Sequence, residues 1–155
     1  MREKVLISTG GSGGHVIPAI TIHDHLKEKY DTIISTDSRG LKYLEKNDYR
    51  SILIDTPKFN SLILFPFTLF KVLILTINSL KILKKEKISY LISTGGYMSL
   101  PLCLAAKILN IKIFLIEPNM VLGRANKFFL NFSKKLICYS VNSVSYTHLT
   151  LPTKA

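Results

Sequence analysis

Short runs rich in β-branched residues recur along the chain, and most are apolar throughout rather than alternating. They are "KVLIST" (4–9), "DTIIST" (31–36), "SILID" (51–55), "SYLIST" (89–94), "IKIFLI" (111–116) and "KLICYS" (135–140). Strands that are apolar on both faces suit a parallel sheet covered on both sides. Between them lie longer stretches that read as helices, near residues 15–29, 39–47, 66–85, 98–109 and 123–132. This alternation predicts an α/β fold with a doubly wound, Rossmann-like parallel sheet. Ligands of such sheets bind beyond the carboxyl ends of the strands.

The segment "SLILFPFTLFKVLILTINSLKILKKEK", Ser61 to Lys87, is long enough to cross a bilayer, but Pro66, Lys71, Asn78, Ser79 and Lys81 interrupt it. One lysine near the centre of a span costs about 3 kcal/mol on insertion scales. An apolar helix with lysines at its end (Lys81, Lys84, Lys85, Lys87) fits partial immersion in an anionic membrane interface. An ordinary amphipathic helix covering the sheet is the plain reading, and a true span is the least favoured of the three. The last stretch, "SVSYTHLTLPTKA", breaks the alternation and resembles translated sequencing-adaptor read-through. Residues 1–142 are therefore expected to form the native N-terminal unit, followed by a non-native tail over 143–155.

Length and composition narrow the picture further. At 155 residues and 17.5 kDa the chain has room for one sizeable core, and 47% hydrophobic with 20% charged residues excludes disorder. A net charge of +11 points to an anionic partner, although heavy lysine use without tryptophan accounts for part of it. Nucleic acid is disfavoured, because Phe and Tyr do not interleave with a basic stripe as stacking platforms would. Cys103 and Cys138 lie in apolar surroundings without metal-type spacing, and read as buried thiols of a reducing compartment. Glycines cut the N-terminal apolar run short, so it is no signal peptide and a cytoplasmic start is expected. His23 and His25 are two apart on a helix and cannot share a metal, and no Asp-x-Asp occurs. Neither a metal nor another cofactor is called for.

The chemistry concentrates at strand ends. "GGSGGH", Gly10 to His15, follows the first strand and opens a helix. Glycines clear the backbone for a ligand, and free N–H groups at a helix start attract an anion. A phosphate or diphosphate cradle is the functional reading, and a merely tight turn the plain one. The dinucleotide fingerprint fails at Val16 and no Gly-Lys-Ser/Thr closes the loop. A nicotinamide enzyme is thereby weakened, although Asp37 stands where a ribose-binding acid would. A second glycine turn, "STGGYMSLP" (93–101), follows the fourth strand, and "IEPNMVLGRAN" (116–126) brings Glu117 and Asn119 to a third strand end. Two glycine loops facing one crevice suit a ligand with two phosphates.

Together, "GGSGGHVIPAI", "GGYMSLPLCLAAKILNI" and "EPNMVLGRAN" resemble, in order, the N-terminal domain of the bacterial N-acetylglucosaminyltransferases that make lipid II (glycosyltransferase family 28, GT-B fold). The resemblance runs from about residue 4 to residue 139. It implies the N-terminal half of a GT-B enzyme that transfers N-acetylglucosamine from UDP-GlcNAc to the undecaprenyl-diphosphate-linked muramyl pentapeptide. It implies donor contacts at Ser12, Gly13, Gly14 and Asn119. It also implies that Gly95, Gly96, Tyr97 and Ser99 hold the acceptor diphosphate, and that segment 61–87 docks on the inner face of the plasma membrane. The protein would then be peripheral, on the cytoplasmic face.

Inverting transfer needs a base for the acceptor hydroxyl and fixed dipoles for the leaving diphosphate. His15 is the candidate base, with an oriented diphosphate donor or a helix-capping histidine as other readings of it, and Glu117 is the second candidate. A helix N-terminus favours neutral imidazole. The chain departs from the family's usual pattern at Ile116, Pro118 and Leu100, and Ser12 replaces a threonine. The second domain, which carries most of the UDP-sugar pocket, is absent from this sequence, so the fragment alone is expected to be inactive. The competing reading is a non-catalytic membrane-recruiting subunit of a two-chain transferase.

Overall fold

The computed structural model describes residues 2–45, 49–56 and 65–138. Six strands, β1 (Lys4–Ser8), β2 (Asp31–Thr36), β3 (Ser51–Leu53), β4 (Ile88–Ser93), β5 (Lys112–Glu117) and β6 (Lys135–Cys138), form one sheet in the order 3-2-1-4-5-6. All pairings are parallel. The doubly wound fold is thus as the apolar runs predict, and β1 and β4 are neighbours at the point where strand order reverses. The expected tail at 143–155 and the boundary at 142 lie outside the described residues.

Alternate residues of each strand feed two cores. Leu6, Leu91, Ile113 and Leu115 point to one face, where they meet Leu83, Leu102, Cys103 and Phe129. These belong to α3 (Phe65–Lys85), α4 (Leu100–Ile108) and α5 (Arg124–Phe129). Val5 and Ile7 point to the other face and pack on Ala19 of α1 (Gly13–Leu26). A short α2 (Ser38–Leu41) follows β2.

Several helices are shorter than the pattern suggests. The stretch expected over 98–109 begins with a 3-10 turn at Tyr97–Ser99, and the one expected over 123–132 ends with another at Leu130–Phe132. Helix α1 starts two residues early, because Gly13 and Gly14 join its first turn. Pro18 within it cannot donate to the carbonyl four residues back.

Helix α3 is apolar on two sides. Thr68, Val72, Thr76, Ser79 and Leu83 are buried against the domain, and Leu75, Leu80 and Ile82 pack partly buried against the core. Phe67, Phe70, Leu73 and Ile77 are exposed. Thr76 satisfies its hydroxyl by donating to the Val72 carbonyl at 2.8 Å. The helix runs antiparallel to the strands, so its apolar first turns lie at their carboxyl ends. Lys84 and Lys85 lie at the opposite edge, beside the Lys4–Glu86 and Arg50–Glu86 ion pairs. The lysine cluster is therefore far from the crevice, about 30 Å along a 21-residue helix.

Candidate functional site

Three loops meet at the carboxyl ends of β1, β4 and β5. The first two are in direct contact: a Cβ on Gly10 would come within 2.6 Å of Met98 Cγ, so only glycine admits this approach. Gly96 has φ +86°, in the left-handed region that glycine enters without strain, and its Cα faces the Gly10 carbonyl.

Asp37 anchors the first loop from behind. Its Oδ1 accepts from the backbone N–H of Gly11 (3.0 Å) and of Gly40 (2.8 Å), and Oδ2 accepts from Arg39 Nε (2.8 Å). Burial opposes its charge, but those hydrogen bonds outweigh it and hold the carboxyl below its ordinary range. Asp37 is 2% exposed and engaged on both oxygens by the loop and by Arg39, so it is not presented to a ribose. It is a strut of the glycine loop, and the position that would mark a nicotinamide enzyme has another use.

Ser12 caps α1 without a side-chain hydrogen bond. Its carbonyl accepts from His15 N–H and Val16 N–H. The N–H groups of Gly13 and Gly14 have no acceptor among the described residues, so the first turn of α1 is open to an anion.

His15 leans across to the second loop, where its Nδ1 lies 2.7 Å from the Thr94 carbonyl oxygen. A carbonyl only accepts, so Nδ1 carries the proton and Nε2 is the free ring nitrogen. His15, Gly96, Tyr97, Glu117, Asn119 and Arg124 border a cavity of about 320 Å³. A larger cavity of about 500 Å³ opens between α1 and the amino ends of the strands, but rings and lysine stems line it and it holds no chemical constellation.

Glu117, at the end of β5, is a hub. Oε1 accepts from Asn119 N–H (3.1 Å) and Asn119 Nδ2 (2.9 Å), and Oε2 accepts from Gly123 N–H (2.8 Å) and Asn126 Nδ2 (3.0 Å). With four donors on a side chain 1% exposed, it pins both ends of the β5–α5 loop. The expectation of Glu117 as a second base does not fit, since no lone pair faces the cavity unengaged.

The expected contacts divide. Gly96, Tyr97 and Asn119 border the cavity with His15, whereas Ser12, Gly13 and Gly14 are not among its lining, and Gly13 lies beside the Tyr43 ring. Ser99 is buried and donates to the Gly96 carbonyl at 2.7 Å, shaping the turn instead of facing a ligand. Gly95 is buried too, and its N–H donates to Ser93 Oγ at 3.1 Å. Sequence reasoning missed Asn126, whose amide joins Glu117 and the Ile116 carbonyl beside Gly95. Arg124, at the start of α5, also borders the cavity. Among the described residues no cluster of three potential metal ligands occurs.

These features define the class: a doubly wound α/β domain with its crevice at the β1–β4 switch point. Within it, the chain belongs to glycosyltransferase family 28, whose N-terminal domain model matches residues 5–138. A relative from Pelagibacter ubique, named UDP-N-acetylglucosamine–N-acetylmuramyl-(pentapeptide) pyrophosphoryl-undecaprenol N-acetylglucosamine transferase, is 52% identical over 92% of this chain and 40% of its own length. A protein of the same name from the Wolbachia of Brugia malayi is 38% identical over the same shares. The crystal structure of Acinetobacter baumannii MurG superposes with a TM-score of 0.79 at 24% identity, covering 91% of this chain and 43% of that one. The chain thus spans about two-fifths of the length of the curated relatives it matches.

Proposed function

We propose that this chain is the acceptor-binding, membrane-facing part of an inverting transferase. Its reaction moves N-acetylglucosamine from UDP-GlcNAc to undecaprenyl-diphosphate-linked MurNAc-pentapeptide, the conversion of lipid I to lipid II. The observation that carries this reading is His15, held by Thr94 with Nε2 free beside two glycine loops. The names of the relatives favour the transferase over a non-catalytic recruiting subunit.

In this reading the muramyl 4-hydroxyl attacks the anomeric carbon of the donor and gives its proton to His15 Nε2. The bond to UDP breaks on the opposite face, which inverts the centre. Glu117 does not move a proton; it orients Asn119 for the donor sugar. Ser12, Gly13 and Gly14 offer donors to the nucleotide sugar, and Gly96 and Tyr97 line the acceptor diphosphate. Further chain, of the kind that the longer relatives carry, supplies most of the UDP-sugar pocket.

Helix α3 supports peripheral attachment to the cytoplasmic face of the bacterial plasma membrane. Its outward Phe67, Phe70, Leu73 and Ile77 suit the acyl boundary, and its terminal lysines suit anionic headgroups. The apolar turns lie at the crevice end, so a polyprenyl tail and its diphosphate are reached from one side.

The test is transfer of labelled GlcNAc from UDP-GlcNAc to lipid-linked MurNAc-pentapeptide by the full-length protein. Formation of the linked disaccharide is expected. A folded protein that forms none overturns the reading.

A further inference from the structure

We propose that Arg124 is a diphosphate-binding residue of this site, reaching the ligand from the start of α5 at the cavity rim. The inference rests on the transferase reading for the ligand's identity, but its geometry is independent of it. Arg124 borders the same cavity as His15, Gly96 and Tyr97. Its backbone is fixed by its neighbour, because the Gly123 N–H is held at 2.8 Å by the fully engaged Glu117 carboxylate. The residue is exposed, and among the described residues its guanidinium pairs with no carboxylate. Arg39, by contrast, spends its Nε on Asp37.

The charge balance of the cavity needs such a group. Its carboxyl group, Glu117, is buried under four donated hydrogen bonds and offers an anion no donor, and the glycine loops supply only backbone dipoles. A ligand with two or more negative charges is therefore held better with a cation at the rim, and Arg124 borders the cavity as a permanent one. A guanidinium presents a planar fork that binds phosphate oxygens bidentately, which an ammonium does not. The cavity, at about 320 Å³, is of the size that small-ligand sites have. Two ligands share this chemistry: the diphosphate of the lipid-linked acceptor and that of the sugar nucleotide.

The experiment is calorimetric titration of the full-length protein with inorganic pyrophosphate, comparing wild type with Arg124→Leu and Arg124→Lys. Arg124→Leu is expected to bind about tenfold more weakly, the scale of one lost charge-assisted pair, and Arg124→Lys to recover part of that loss. Because the side chain is exposed, both variants should melt as the wild type does. Displacement of pyrophosphate by UDP assigns Arg124 to the donor, and retention in saturating UDP assigns it to the acceptor. Equal affinity in wild type and Arg124→Leu, or no binding by the wild type, overturns the proposal. Pyrophosphate binding that depends on Arg124 in a protein that transfers no sugar would overturn the transferase reading alone.

Discussion

The imidazole of His15 spans two loops, with Nδ1 2.7 Å from the carbonyl oxygen of Thr94, seventy-nine residues away. That one contact fixes Nδ1 as a donor, leaves Nε2 as the ring nitrogen that Thr94 does not hold, and ties the first glycine loop to the second. His15→Asn keeps a donor for Thr94 but has no basic nitrogen to offer. In the full-length protein it should lower kcat by roughly 10²–10⁴, the usual range for a lost general base. KM for the acceptor should change little. A kcat within about threefold of wild type would rule out the base role.

Glu117→Gln separates a hub from a base. The amide replaces one acceptor oxygen by a donor that must face N–H groups, so a pair of hydrogen bonds is lost whichever way it turns. The expected cost is about 1–3 kcal/mol of stability, read by chemical denaturation. The pH profile of kcat should keep its shape. A lost limb of that profile, with stability intact, would return Glu117 to proton transfer.

Asp37 makes a prediction about acid. Its carboxyl is lowered in the folded protein by the Gly11, Gly40 and Arg39 donors acting against burial. A carboxyl depressed on folding stabilises above its unfolded value, near 3.8, and that stability is lost as pH falls through the lower folded value. Asp37→Ala should therefore cost about 1–3 kcal/mol at pH 7. The gap between variant and wild type should narrow below about pH 4. A gap that is constant down to pH 2 would mean that the ionised form contributes nothing.

The strands and glycine loops were legible because each is written in consecutive residues: apolar runs, a breaker, then a helical stretch. Glu117 was not, because its neighbours 119, 123 and 126 reach it only when the loop folds back on itself. Ser99 was misplaced for a similar reason. A serine in a glycine loop looks like a ligand donor until the turn points it at the Gly96 carbonyl. Arg124 belongs to no charge run of its own, and only the start of α5 carries it to the cavity rim. Glycine loops thus announce themselves locally, whereas which residues strut them depends on which way each loop turns.

Helix α3 offers the last test. A helix built only to cover a sheet needs one apolar face, yet besides Val72, Leu75, Leu80, Ile82 and Leu83 on the core side this one carries a second, with Phe67 and Phe70 67% and 61% exposed. That arrangement leaves apolar area unburied in water and becomes favourable only when something apolar covers it. Immersing a phenylalanine in an acyl boundary is worth about 1.5–3 kcal/mol, so removing two should weaken membrane partition by at least about a hundredfold. Vesicles containing phosphatidylglycerol, sedimented with Phe67→Ser/Phe70→Ser and with wild-type protein, measure the difference. The melting temperature should stay within about 2 °C, because neither ring supports the core. Lys84→Glu/Lys85→Glu should also weaken binding, and added salt should reproduce that effect but not the effect of the phenylalanine pair. Equal sedimentation of the phenylalanine variant and the wild type would mean that this face does not enter the membrane.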